Sequence, residues 1–324
     1  MISLVCGTTA CLSGSDTASN QAPVTAPGVS AESHANDTEA APSRYPAPAR
    51  LIGIGDVHGD LSAFRAALEL AGVLGEGDTW TGGETVIVQT GDVLDRGDDE
   101  PEILALISTL ETQAEAAGGK LIALNGNHET MNVATDLRYV TPDGFLDYAK
   151  TPVEPTNQSV EALPAENRGR AAAFAPGGPA ALDLSNRNVV VVVGDTVFVH
   201  GGVLPEAAAM GLDHINSAAR TWMAGDGPAP AFLTDPNGPV WSRHYSDATD
   251  SADCDLLTEA LSTLNASRMV VGHTVQFEGI TQACDKRVWR IDVGMAAAYG
   301  GRPEVLEIVG NQVRALTPDG PRDY

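Results

Sequence analysis

Five short segments of the 324-residue chain place His, Asp or Asn directly after an apolar run, with glycine alongside. They are Gly55-Asp56-Val57-His58-Gly59-Asp60, Gly91-Asp92-Val93-Leu94-Asp95-Arg96-Gly97, Gly126-Asn127-His128-Glu129, His200-Gly201-Gly202 and Gly272-His273-Thr274. Carboxylate oxygen and neutral imidazole nitrogen are ligands for manganese, zinc or iron, and a soft thiolate site is absent from the pattern. Asp56 and His58 at a strand end can chelate one ion. Asp92 can bridge two, and Asn127, His200 and His273 supply the second. Two ions about 3.5–4 Å apart polarise a phosphoryl oxygen and lower the pKa of a bound water, whose hydroxide attacks in line. His128 then remains beside a ligand and suits the general acid that protonates the leaving oxygen. Asp95 can pair with it to orient and charge the ring. Arg96 can grip phosphate oxygens in bidentate fashion. A lone Asp-x-His or a lone His after a strand is more often structural. The weight lies in the set: of seven histidines, four (58, 128, 200 and 273) occupy these glycine-flanked positions.

The flanking sequence supplies elements that can bring the five segments together. Strand candidates are Leu51–Ile54, Thr85–Val88, Lys120–Leu124, Val189–Val193, Val197–Val199, Met269–Val271, Val288–Ile291 and Val305–Ile308. Leu61, Phe64, Leu68 and Ala71 recur at helical spacing, as do Ile103, Leu104, Ile107 and Leu110 after a cap offered by Asp98 and Asp99. Gly194-Asp195 reads as a hairpin turn. Strand–helix–strand alternation at the start with hairpins later predicts an α/β fold with a mixed or two-sheet core. Ligands bind outside the carboxyl ends of such strands, so the five segments can converge. Residues 131–187 lack strong strands and read as a helical and loop insertion over the site.

Composition narrows the partners. Hydrophobic residues make up 43% of the chain, enough for a sizeable core. Against 43 Asp+Glu stand 19 Lys+Arg, a net charge of −24, which repels phosphate backbones and argues against nucleic acid. No apolar run is long enough to span a bilayer. Residues 12–49 are rich in Ala, Ser, Pro and Thr and read as a flexible tether, so residues 1–49 form a signal-like start plus tether, and 50–324 the catalytic domain. Thr8-Thr9-Ala10-Cys11 loosely resembles a lipoprotein cleavage box with Cys11 as lipidated residue, although Thr8 stands where Leu is usual and no Lys or Arg precedes Arg44. The expectation is an exported periplasmic or surface lipoprotein, with a cytoplasmic protein as the alternative. In an exported protein Cys254 and Cys284 can form a disulfide; two ordinary buried thiols are the equal alternative.

In this order, GDxHGD, GDxxDRG, GNHE, HGG and GH resemble the calcineurin-like metallophosphoesterases, and the unbroken GDVLDRG and GNHE resemble their phosphoprotein phosphatase branch. Met131-Asn132, Asp136-Leu137-Arg138-Tyr139, Gly238 to Arg243, Val270 to Thr274, and Ile291 to Met295 with Tyr299-Gly300-Gly301 are similar to the Shewanella-like phosphatases. The likeness covers about residues 50–309. It implies a four-layer αββα sandwich of two mixed sheets with metals between the sheet edges. It assigns Asp56, His58 and Asp92 to one ion, and Asp92, Asn127, His200 and His273 to the other. Manganese is the first expectation for both, with iron or zinc as alternatives. The resemblance also implies His128 with Asp95 as the acid pair, and Arg96, Arg243 and Asn127 as phosphate-binding groups. Arg138 is better read as a salt-bridge partner of a neighbouring acid. The implied activity is metal-dependent hydrolysis of phosphotyrosine or phosphoserine/threonine in proteins, by a chain taken as a monomer by default. The alternatives are a diadenosine tetraphosphate-type nucleotide phosphohydrolase, a broad small-ester phosphatase, and a tethered binding protein on a phosphatase scaffold.

Overall fold

A computed structural model describes residues 40–154 and 158–324. Cys11 and the expected tether up to residue 39 lie outside the described residues. In chain order the strands are β1 (Arg44–Tyr45), β2 (Leu51–Ile54), β3 (Leu74–Gly75), β4 (Thr79–Trp80), β5 (Val86–Gln89), β6 (Lys120–Ala123), β7 (Val190–Val193), β8 (Thr196–Val199), β9 (Arg268–Val271), β10 (Thr281–Ala283), β11 (Val288–Arg290), β12 (Val305–Val309), β13 (Gln312–Leu316) and β14 (Arg322–Asp323). The helices are α1 (Leu61–Leu70), α2 (Glu100–Ala116), α3 (Asn127–Val133), α4 (Pro142–Leu146), α5 (Gln158–Glu161), α6 (Ala165–Phe174), α7 (Pro179–Ser185), α8 (Pro205–Met210), α9 (Leu212–Met223) and α10 (Ser251–Leu264).

Two six-stranded sheets form, ordered β14-β13-β12-β2-β5-β6 and β1-β7-β8-β9-β11-β10. In the first, β2, β5 and β6 run parallel, and β12, β13 and β14 follow antiparallel on the β2 side, ending at the edge strand β14. In the second, β8, β9 and β11 run parallel, and the Gly194-Asp195 turn closes the antiparallel β7–β8 hairpin. Side-chain alternation explains the layering, because successive residues of a strand face opposite sides. Val191, Val193, Phe198, Val270 and Trp289 face the first sheet and share a core with α1 and α2. Their neighbours Val190, Val192, Val197, Val199, Met269, Val271 and Val288 pack with α7, α8, α9 and α10. The result is the expected four-layer αββα sandwich.

Some local expectations needed correction. Residues 44–45, read as the end of the tether, form β1 and pair in parallel with β7. Asp99 stands at the N-cap of α2 but makes no capping bond there; its carboxylate accepts instead from the Leu61 amide at 3.2 Å. The insertion is helical as expected, built from α4 to α7 after α3. Cys254, on α10, and Cys284, just after β10, are joined in a disulfide. Among the described residues, no helix is long and apolar enough to cross a membrane.

Candidate dinuclear metal site

Six strands deliver the site from their carboxyl ends. Asp56 and His58 follow β2, Asp92 follows β5, Asn127 and His128 follow β6, His200 follows β8, His273 follows β9, and Asp292 follows β11. The loops between strand and side chain are tight. His58, Asp92, Asp95, Arg96 and His273 all hold positive φ, between 47° and 69°. Each such non-glycine residue costs about 1–3 kcal/mol, and such strain concentrates where geometry matters for function. Two glycines make the approach possible: a Cβ on Gly126 would lie 2.3 Å from Asp92 Oδ1, and one on Gly272 would lie 2.3 Å from Asp56 Oδ1.

The donor atoms converge as a cation site requires. His200 Nδ1 lies 3.1 Å from the Thr90 carbonyl, which can only accept, so the ring donates there and keeps its Nε2 lone pair. That Nε2 faces Asn127 Oδ1 at 2.8 Å, His273 Nδ1 at 3.1 Å and Asp92 Oδ2 at 3.2 Å. The Asn127 amide nitrogen points the other way, to Met131 Sδ at 3.6 Å. His58 repeats the device: Nδ1 donates to the Leu94 carbonyl at 3.1 Å, and Nε2 faces Asp92 Oδ2 at 3.8 Å and Asp56 Oδ2 at 3.9 Å. The other ring nitrogen of a ligating histidine is ordinarily held in this way. Asp92 belongs to both groups. His273 Nε2 is buried without a hydrogen-bond partner. A hard oxygen and imidazole set this dense fits two divalent ions.

Electrostatics agree. Burial drives His58 down to about 4 and His273 down to about 2, so both rings are neutral at pH 7, the form in which an imidazole can hold a metal. Burial, then Asp292 and Asp92, push Asp56 well above the ordinary carboxyl range, and burial lifts Asp292 to about 6. Burial opposes the charge of Asp92, but His200 and His128 outweigh it and hold that carboxylate well below its usual value. Carboxyls crowded this way ionise together only beside cations.

His128 and Asp95, expected as the acid pair, lie in direct contact. His128 Nδ1 meets Asp95 Oδ2 at 2.6 Å, and its Nε2 stands 3.8 Å from Asp92 Oδ2. Burial works against a charge on His128, but Asp92 and the Asp95 hydrogen bond overcome it and raise the ring above the ordinary histidine value. Tyr139, His128, His58 and Tyr299 line up as successive ring contacts, with centroids 5.1, 4.7 and 5.2 Å apart. The Arg96 guanidinium sits 4.3 Å from the Tyr139 ring and 5.3 Å from the Tyr299 ring, with its Nε buried and unpartnered. Arg243 is exposed at the other side, donating to the His273 carbonyl at 3.1 Å and Thr274 Oγ1 at 2.7 Å. Arg138 pairs with Asp136 at 2.6–2.7 Å, as expected of it. Sequence reasoning gave no role to Glu129, whose carboxylate collects the amides of Asp92, Val93, Leu94 and Gly126. It also missed Arg170, buried in the insertion, and the place of Asp292 against Asp56. Glu129 was visible as the last letter of GNHE; nothing in the local sequence marks Arg170.

The calcineurin-like phosphoesterase family matches residues 49–277, the span that holds all the predicted site residues. The chain belongs to the calcineurin-like phosphoesterases. It is 42% identical over 299 residues to Shewanella-like protein phosphatase 2 of Arabidopsis thaliana, covering 82% of this chain and 76% of that one. Its fold is similar to a cold-active protein tyrosine phosphatase, with a TM-score of 0.73, 26% identity, and coverage of 88% and 81%. A cold-active protein-tyrosine phosphatase from a psychrophilic Shewanella species matches with a TM-score of 0.70 at 26% identity, over 88% of this chain and 82% of that one. Family and donor set together make this calcineurin-like phosphoesterase a metal-dependent phosphatase.

Proposed function

We propose that this phosphatase hydrolyses phosphate monoesters on proteins, with phosphotyrosine as the preferred residue. Asp56, His58 and Asp92 would hold one divalent ion, and Asp92, Asn127, His200 and His273 the other; manganese suits this oxygen and imidazole set. When bound, the two ions supply Lewis acidity toward the phosphoryl oxygens and a nucleophilic water at neutral pH. The chain's own groups do the rest. Arg96, held between two tyrosine rings, presents guanidinium donors to the phosphate, and Arg243 adds a second from the His273 side. His128, charged through Asp95, turns Nε2 toward the reaction side and gives its proton to the leaving oxygen. Although His128 lies close enough to His58 and Asp92 to be a third ligand, its raised pKa and its short bond to Asp95 suit an acid better. The phosphotyrosine preference rests on one observation: the rings of Tyr139 and Tyr299, at the two ends of the row through His128 and His58 and both against Arg96, offer flat aromatic surfaces to an aromatic leaving group. The solved relatives called tyrosine phosphatases support it. The Cys254–Cys284 bond supports an oxidising, exported location.

The test is phosphate release by the full chain loaded with Mn²⁺, on peptides matched except for phosphotyrosine, phosphoserine or phosphothreonine. The expected ranking puts phosphotyrosine first by kcat/KM, with loss of about 10²-fold or more in His128→Asn. Inert peptides alongside ADP release from a dinucleoside polyphosphate would overturn the reading in favour of a nucleotide hydrolase.

A further inference from the structure

The insertion reaches the acid pair through one side chain. Arg170, on α6, is fully buried, and all five of its N–H groups are used. Nη1 and Nη2 clasp Glu100 at 2.6 and 3.0 Å. Nη1 also donates to the Gly144 carbonyl at 3.0 Å, Nε to Asn132 Oδ1 at 2.9 Å, and Nη2 to Asp95 Oδ1 at 3.2 Å. Asn132 adds a second bond to the same Asp95 oxygen at 3.0 Å, and Glu100 takes the Asp95 amide at 2.6 Å. Asp95 Oδ2 is thereby left to His128 alone. The rings of Phe174 and Tyr148, 4.9 and 5.3 Å from the guanidinium, wall the cluster. The same insertion also takes the Arg96 amide on the Tyr139 carbonyl at 3.1 Å. Asp95 and Arg96 hold positive φ, 67° and 69°, so this turn needs outside bonds to keep its shape.

We propose that Arg170 is a positioning residue for proton delivery: it fixes the Asp95 carboxylate so that His128 Nε2 points at the leaving oxygen. The inference rests on His128 acting as the acid. A fixed fork of five donors matches this task and a lysine does not, since three donors cannot clasp Glu100 and reach Asp95 and Asn132 together. Positioning of a general acid has a signature that structural support lacks. Esters with poor leaving groups need the proton, and activated esters do not.

The experiment compares kcat of the Mn²⁺-loaded full chain on phenyl phosphate and on 2,4-dinitrophenyl phosphate. Arg170→Met leaves Glu100 and Asp95 buried without a counter-charge and can fail to fold. The working variant is therefore the charge-neutral pair Arg170→Met with Glu100→Gln, with Arg170→Lys beside it. The expected result for both is a loss of roughly 10–100-fold on phenyl phosphate, part of the general-acid contribution, against roughly three-fold or less on the dinitrophenyl ester. His128→Asn must show the same leaving-group dependence, more steeply. Equal losses on both esters, with His128→Asn still selective, would overturn the positioning role and leave the acid assignment standing. A flat response in His128→Asn would overturn both.

Discussion

Glu129→Gln is the perturbation whose cost the structure defines most closely. The carboxylate is fully buried. Oε2 accepts the Asp92 amide at 2.8 Å and the Gly126 amide at 2.6 Å, and Oε1 accepts Val93 at 2.9 Å and Leu94 at 3.2 Å. These four bonds tie the loop after β5 to the start of α3, and with it the strained backbone of Asp92. Glutamine keeps one oxygen and turns an NH₂ toward the other two amides. Two buried donors then go unsatisfied, at about 1–3 kcal/mol each, or about 2–6 kcal/mol together. Total stability for a domain is about 5–15 kcal/mol, so the loss is a large fraction of it. With a urea m-value of about 3 kcal/mol/M, the midpoint falls by about 0.7–2 M. Freeing Asp92 also weakens its presentation to both ions, for which a loss of about 10–100-fold in ion affinity is expected. Urea unfolding of the chelated chain and calorimetric Mn²⁺ titration read the two effects separately. A variant within about 1 kcal/mol of the parent, with unchanged ion affinity, would mean that these amides find other partners and that Glu129 does not hold the Asp92 loop.

Other outcomes follow from the same geometry. Arg96→Lys loses the bidentate fork while keeping the charge, and kcat/KM falls by about 10–100-fold, since hydrogen bonds to charged groups contribute about 1.5–3 kcal/mol; steady-state kinetics on a phosphotyrosine peptide checks it. Asp56 stands well above the ordinary carboxyl range and Asp292 at about 6, so incoming ions must displace protons once the pH is low enough. Ion affinity therefore declines as pH drops through about 6, and proton release on binding rises, measurable by calorimetry in two buffers of different ionisation enthalpy. Replacing both Cys254 and Cys284 by alanine opens a link between residues 30 apart and costs about 3–4 kcal/mol, read as a lower urea midpoint.

Much of the site was legible because its chemistry is carried by short contiguous segments. A strand end, a glycine and a ligand sit within a few residues, so Asp56, His58, Asp92, Asn127, His128, His200 and His273 announce themselves by type and spacing. The long apolar strands were legible for the same reason: Val190–Val193 and residues 269–271 are buried on both faces and read as continuous runs. What escaped depends on distant partners. Arg170 is an arginine in a polar helix until folding sets it against Asp95, 75 residues away. Glu129 has a local motif, yet its four amide partners come partly from a loop 35–37 residues earlier. The two-residue β1 has no periodicity of its own and exists because β7 lies beside it. The cap expected from Asp99 failed because that carboxylate finds the Leu61 amide across the loop.

The most direct measurement pairs metal content with catalysis. The full chain, stripped by chelation and titrated with Mn²⁺, is followed by elemental analysis and by phosphate release from a phosphotyrosine peptide, alongside Asp92→Asn. Activity is expected to appear with the second ion per chain, and Asp92→Asn, which removes the one carboxylate shared by both ligand groups, to lose ion and activity together. Phosphate release that survives chelation, or an Asp92→Asn variant with parental activity, would rule out catalysis by two bound ions.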